Sequence, residues 1–178
     1  MKPLFHEKTL LRAISGDPPP DLEAKRALVG KWIAALDAGV LDAVKEVSLH
    51  GDFLRDVFCE ILGYKTIIQG EGKHWTLHAE ANITDGGGSA DGALGFFRAA
   101  ESVKGVAKLK GRIVAPIELK GAANDLDRAM AGRKESAVEQ GWRYANYTEG
   151  CRWIIVSNYR ETRLYRPSKT PAFYERFL

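Results

Sequence analysis

The stretch RIVAPIELKGA, residues 112–122, decides how this chain is read. An apolar run of the kind that fills a buried strand ends by placing Glu118 and Lys120 two residues apart. Side chains alternate along a strand, so these two share one face and Ile117 and Leu119 share the other. Burying charge costs several kcal/mol unless the charge is paired or binds a metal. The pair therefore has two readings: a structural ion pair at a strand end, or part of a reactive site.

The segments around this strand supply the rest of the architecture. Upstream, SGDPPP (residues 15–20) marks a hinge, followed by a helix with Asp21 as N-cap. Leu28, Trp32 and Leu36, with Ile33 beside them, repeat at helical spacing, and Gly39 ends that helix. A second helix follows in KEVSLHGDFLRDVFCEILGYKT (residues 45–66), with Phe53, Val57, Phe58, Ile61 and Leu62 as its buried stripe, Glu60 on its solvated face and Gly63 at its end. Three extended pieces come next, KTIIQG, WTLHAEANI and SADGALGFFRA. Trp75, Leu77, Ala79, Ala81 and Ile83 alternate as on a half-buried strand. TDGGGS (residues 84–89) is hairpin-loop chemistry; its glycines lack the GxxxxGK[ST] or GxGxxG context of a nucleotide site.

Downstream, NDLDRAMAGRKES (residues 124–136) reads as a polar, mobile connection. Arg128, Arg133 and Lys134 in it are either phosphate contacts or a solvated loop. SAVEQGWRYANYTE is a helix with Ser136 as cap and Glu139 completing a capping box. CRWIIVSNYRETRLYR gives two strands joined by a turn at Asn158 to Glu161. Trp142, Tyr147, Trp153 and Tyr159 fall at packing positions rather than as base-stacking platforms. The order of elements predicts an α/β fold, a mixed sheet flanked by helices.

Bulk properties set outer limits. The chain has 178 residues, 45% hydrophobic and 28% charged, which suits one soluble domain with a proper core. No apolar run approaches the ~20 residues needed to span a bilayer, and the N-terminus lacks a signal-peptide pattern, so no membrane partner and a cytoplasmic location are expected. The net charge of +3 is too balanced to announce a nucleic-acid binder; a basic surface, if present, must be local or lie on another part of a larger polypeptide. Cys59 and Cys151 have no CxxC context and read as free buried thiols.

Two further features bear on the Glu118–Lys120 pair. Asp91, in SADGALGFF, opens a neighbouring apolar strand just after a turn; it is either a turn cap or a second carboxylate for a hard cation. Mg²⁺ takes a few carboxylates and keeps several waters. Such an ion can hold a phosphate oxygen and stabilise an in-line displacement. Gln140 and Tyr144, four apart on a helix, project from one face and can hydrogen-bond a phosphate or orient a catalytic side chain; the alternative is the polar edge of an amphipathic helix.

Asp91, then Glu118-x-Lys120, then Gln140-x-x-x-Tyr144, resembles the PD-(D/E)xK nuclease superfamily in its QxxxY branch. The succession from residue 45 to 168 is similar to the N-terminal endonuclease domain of type IIG restriction-modification enzymes. The resemblance implies a restriction-endonuclease-like PD-(D/E)xK core over residues 45–178, an N-terminal helical extension over residues 1–44, and a piece of a larger polypeptide. It implies metal-dependent hydrolysis of DNA phosphodiesters. Asp91 and Glu118 would be ligands of Mg²⁺, with Mn²⁺ as substitute, and the Leu119 carbonyl a third. Lys120 would be the catalytic lysine, Gln140 and Tyr144 would position the site, and Glu46 would match the family's helix glutamate, with a helix-start acid as its ordinary reading. The implied partners are double-stranded DNA, methyltransferase and target-recognition domains of the parent polypeptide, and a second copy in a transient dimer on DNA. Ala90 stands where the family name implies Pro, a departure that removes no chemical group. Two alternatives stay open: a DNA-binding or structural module of the same fold that does not cut, and a repair nuclease.

Overall fold

The computed structural model describes residues 2–83, 87–103 and 106–178, with only the backbone described at 101–103 and 106–109. Its centre is a six-stranded mixed sheet in chain order: β1 (His74–Ile83), β2 (Gly88–Val103), β3 (Val106–Leu119), β4 (Ile154–Ser157), β5 (Thr162–Tyr165) and β6 (Tyr174–Phe177). All neighbouring pairs are antiparallel except β3 and β4. A parallel pair needs a crossover, and α5 (Ala137–Asn146) lies within it. Strands covered on both faces become continuous apolar runs, which is why Ala115–Leu119 and Ile154–Ser157 are buried at every position.

Helices cover the two faces. On one side lie α2 (Leu22–Asp37), α3 (Val40–Ala43) and α4 (Glu46–Phe53), after the N-terminal α1 (Glu7–Gly16). Phe53, Leu54 and Phe58 pack there with Ile117, Leu119, Ile155 and Tyr159, and Trp32 and Leu36 of α2 close over them. On the other side Val138 and Ala145 of α5 pack with Ile154, Val156, Tyr165 and Leu126. A side chain at Gly141 would come within 2.8 Å of Ile154, so the glycine lets α5 sit close against β4. Glu118, between Ile117 and Leu119, thus faces the α5 side.

The capping box of α5 forms as expected: Glu139 N–H donates to Ser136 Oγ, and Ser136 N–H to Glu139 Oε2. Ser136→Ala is expected to cost about 1 kcal/mol, read from urea denaturation. The β4–β5 turn at Asn158–Glu161 is also found, with Tyr159 at φ 67° and Glu161 N–H bonded to Asn158 Oδ1.

Several expectations need correction. KTIIQG is a turn, not a strand; Thr66 and Gln69 tie it together through Thr66 N–H and Gln69 Oε1, and Gly70 N–H closes it on the Thr66 carbonyl. Asp21 stands at the start of α2 in a left-handed conformation without capping by its side chain. The helix from Glu46 continues as a π-helical segment, Leu54–Ile61, seen in the Leu62 N–H bond to the Val57 carbonyl. The wider turn breaks the 3.6-residue period, so Leu62 is 57% exposed while Leu54 and Cys59 are buried. Ile33, Ala79 and Tyr147 are exposed rather than packed. The connection after β3 is anchored, because Leu126 is fully buried and Asp127 pairs with Arg163. β6 has no counterpart in the sequence reading, which also does not separate α1 as a helix within the N-terminal extension. Both cysteines are free, but of the two thiols expected to be buried only Cys59 is, Cys151 being half-buried. Residues 84–86 of the TDGGGS loop lie outside the described residues, though Ile83 and Gly88 pair across it. Among the described residues no helix is long and apolar enough to cross a membrane.

Candidate active site

The sheet brings the sequence candidates together at the C-terminal end of β3. Open α/β sheets generally place ligands at carboxyl ends of strands. Gly92 of β2 pairs with Ile117 of β3, which sets Asp91 beside Glu118 and Leu119. The Leu119 N–H donates to Asp91 Oδ2 at 2.7 Å, so Leu119 meets Asp91 through its amide and not through the carbonyl expected as a ligand. Asp91 is the fourth residue of β2, inside the strand, and not a turn cap.

Glu118 is 2% exposed and its Oε1 contacts Lys120 Nζ. Burial pushes its carboxyl up to about 7, helped by the charge of Asp91 and opposed by Lys120. Burial likewise raises Asp91, against the Leu119 N–H bond and the charges of His50 and Lys120. The half-buried Asp91 thus adds to the cost of ionising buried Glu118, and a hard cation between them would remove that cost. Among the described residues no three of His, Cys, Asp and Glu converge closely enough to enclose a metal. The donor set fits an ion that takes two carboxylates and completes its shell with main-chain oxygen and water, as Mg²⁺ does.

Glu46, the first residue of α4, reaches the same place. Its Oε2 accepts from Gly121 N–H at 2.9 Å, and its Oε1 lies 3.8 Å from Lys120 Nζ. Tyr159 O–H donates to the Glu46 carbonyl at 3.2 Å, fixing the start of α4 against the β4–β5 turn. Lys120 therefore sits between Glu118 and Glu46, with its own N–H donated to the Ser157 carbonyl.

Gln140 and Tyr144 approach from α5. Tyr144 O–H donates to the Ser89 carbonyl at 2.9 Å, and Gln140 Nε2 donates to the Tyr144 oxygen at 3.2 Å. Burial raises the Tyr144 phenol, and the nearby Glu118 carboxylate raises it further. The Gln–Tyr pair thus holds the main chain two residues before Asp91.

The sequence reading missed His50. It lies one turn after Glu46, with Nε2 3.8 Å from Glu46 Oε1 and Nδ1 3.7 Å from Asp91 Oδ1, and its buried Nε2 has no hydrogen-bond partner among the described residues. The spacing of four from Glu46 on a helix was the available signal. Arg128 of the connecting loop pairs with Asp125, and Arg133 and Lys134 are exposed. No family model, no curated protein and no solved structure matches this chain.

Proposed function

We propose that the chain is a Mg²⁺-dependent DNA endonuclease module with a restriction-endonuclease-like core, the cleavage part of a type IIG restriction-modification polypeptide acting on double-stranded DNA. The observation that carries this reading is the convergence of Asp91, Glu118, Lys120 and Glu46, from three separate elements, on one strand end. The Gln140–Tyr144 pair braces that end from behind.

Asp91 and Glu118 would hold the ion, with the Leu119 carbonyl as third protein ligand. The bound ion supplies positive charge for in-line displacement at a phosphodiester. Lys120 orients the attacking water and offsets negative charge building at phosphorus. Glu46 and Glu118 flank the Lys120 ammonium and fix where it points. Tyr144 and Gln140 are positioning residues, acting through the main chain at Ser89.

The direct Lys120–Glu118 contact favours a second reading, a DNA-binding module of the same fold in which the pair is structural. Calorimetric titration of Mg²⁺ into wild type and into Asp91→Asn/Glu118→Gln separates the two. The nuclease reading expects a binding isotherm in wild type that the double variant loses. Equal heats in both proteins overturn it.

A further inference from the structure

The long β2–β3 ribbon runs past the core and carries an unusual face. Phe96 is directly opposite Arg112, and Arg98 is directly opposite Lys110. Partners across an antiparallel pair share a face, as do residues two apart, so these four side chains form one square. His74 of β1 stands opposite Arg98 and extends the row. All five are exposed, Phe96 to 63%. An open groove runs beside them, with Lys65 in its lining and no acidic residue among the described residues that line it.

Among the described residues no ion pair balances this charge. Arg98, Lys110 and Arg112 enter none of the ion pairs that other bases of the chain form with its acids. Like charges directly opposite on a sheet are destabilising. Arg98 and Lys110 accept that cost where a neutral or mixed pair would serve a solvated ribbon better. Arg112 is also held in place, its guanidinium 5.4 Å from the Phe96 ring centre. A cation fixed over an exposed ring is preorganised for an external anion. With an overall charge of only +3, this face is a local concentration and not a reflection of composition.

We infer that this ribbon face docks the phosphate backbone of duplex DNA. Six residues of strand separate Arg112 from Glu118, about 20 Å, so a duplex held at the strand end would reach the ribbon along its length. That a polyanion docks here follows from the charge pattern; that it is duplex DNA rests on the nuclease reading. Arg98, Lys110 and Arg112 contact phosphates, and Phe96 positions Arg112. The contact is sequence-independent, since phosphate contacts position and base contacts specify.

The test is fluorescence anisotropy of a labelled 24-base-pair duplex, in EDTA, across a salt series. Wild type is compared with Arg98→Ala/Lys110→Ala/Arg112→Ala and with a control triple, Lys8→Ala/Lys25→Ala/Arg26→Ala. The ribbon triple is expected to lower the slope of log affinity against log salt by about 3, with at least a tenfold loss of affinity at low salt. The control is expected to follow wild type. Lys110→Glu adds a readout that misfolding cannot imitate: it places a carboxylate opposite Arg98, so binding falls while the unfolding midpoint rises by about 2 °C. An unchanged slope in the ribbon triple overturns the proposal, and so does competition by polyglutamate as effective as by unlabelled duplex. Binding through the ribbon without any cleavage in Mg²⁺ would sink the nuclease reading alone. Cleavage with an indifferent ribbon would sink the docking face alone.

Discussion

Glu118→Gln is expected to make the protein more stable at pH 8 and to remove cleavage. The two effects have one origin. The Glu118 carboxyl, raised by burial to about 7, lies above the usual value of 4.5. The fold therefore favours the neutral form. This contribution is fully present below pH 4.5 and is lost as pH rises through 7. A shift of that size, in which the opposing attraction to Lys120 is already counted, corresponds to about 3 kcal/mol. In EDTA, the variant should melt about 6 °C above wild type at pH 8 and match it near pH 4. Adding Mg²⁺ should raise the wild-type midpoint at pH 8 and leave the variant unmoved, since only the former gains a ligand. Cleavage should fall about 10³-fold, the scale of losing a main electrostatic partner of the reacting group. Thermal melts across pH with and without Mg²⁺ measure all but the last. A variant less stable than wild type at pH 8 would show that the Glu118–Lys120 pair is a net structural asset.

Arg163→Ala should be the most damaging change outside the site. Arg163 is 8% exposed on β5, bonds both Asp127 oxygens at 2.9 and 2.8 Å and Glu161 at 2.7 Å, and lies over the Tyr174 ring. Desolvation alone would lower its pKa; the bonds to Glu161, Tyr165 and Asp127 outweigh this and hold it above the ordinary arginine value. Removing it leaves Glu161 half-enclosed without its cation and frees Asp127, the anchor of the connection between Lys120 and α5. Asp127 is itself mostly exposed, so the loss should be about 3 kcal/mol, the low end for breaking a buried pair. Urea denaturation measures it. A loss below 1 kcal/mol would mean that Leu126 alone pins the connection.

How far the sequence announced all this depends on the residue. Glu118, Lys120, Gln140 and Tyr144 were legible because charge at a strand end and polar groups four apart on a helix are local patterns. Bringing Glu118 and Lys120 to Asp91 needed only the β2–β3 pairing, while Gln140 and Tyr144 also needed α5 laid against β2. The Ser136–Glu139 box and the Asn158 turn were legible for the same reason. What escaped was non-local or non-standard. His50 gains meaning only when α4 is laid against β2, 41 residues on from it. Leu62 was misplaced because a π-helical segment obeys a different period. KTIIQG has strand propensity, and the Thr66–Gln69 bonds overrode it. β6 is held by β5 and by the Lys2–Phe173 bridge, contacts between the two ends of the chain that no local pattern reveals. The charged face of the ribbon was invisible because Arg98 and Lys110 become neighbours only through the β2–β3 register.

The most direct measurement is nicking of supercoiled plasmid by the purified chain in Mg²⁺ and in Mn²⁺, beside Lys120→Ala and Asp91→Asn. Wild type is expected to convert supercoiled to open-circular and linear DNA, both variants to be inactive, and all three to show the same circular dichroism. Nicking retained in either variant, or absent from wild type with both metals, would contradict it.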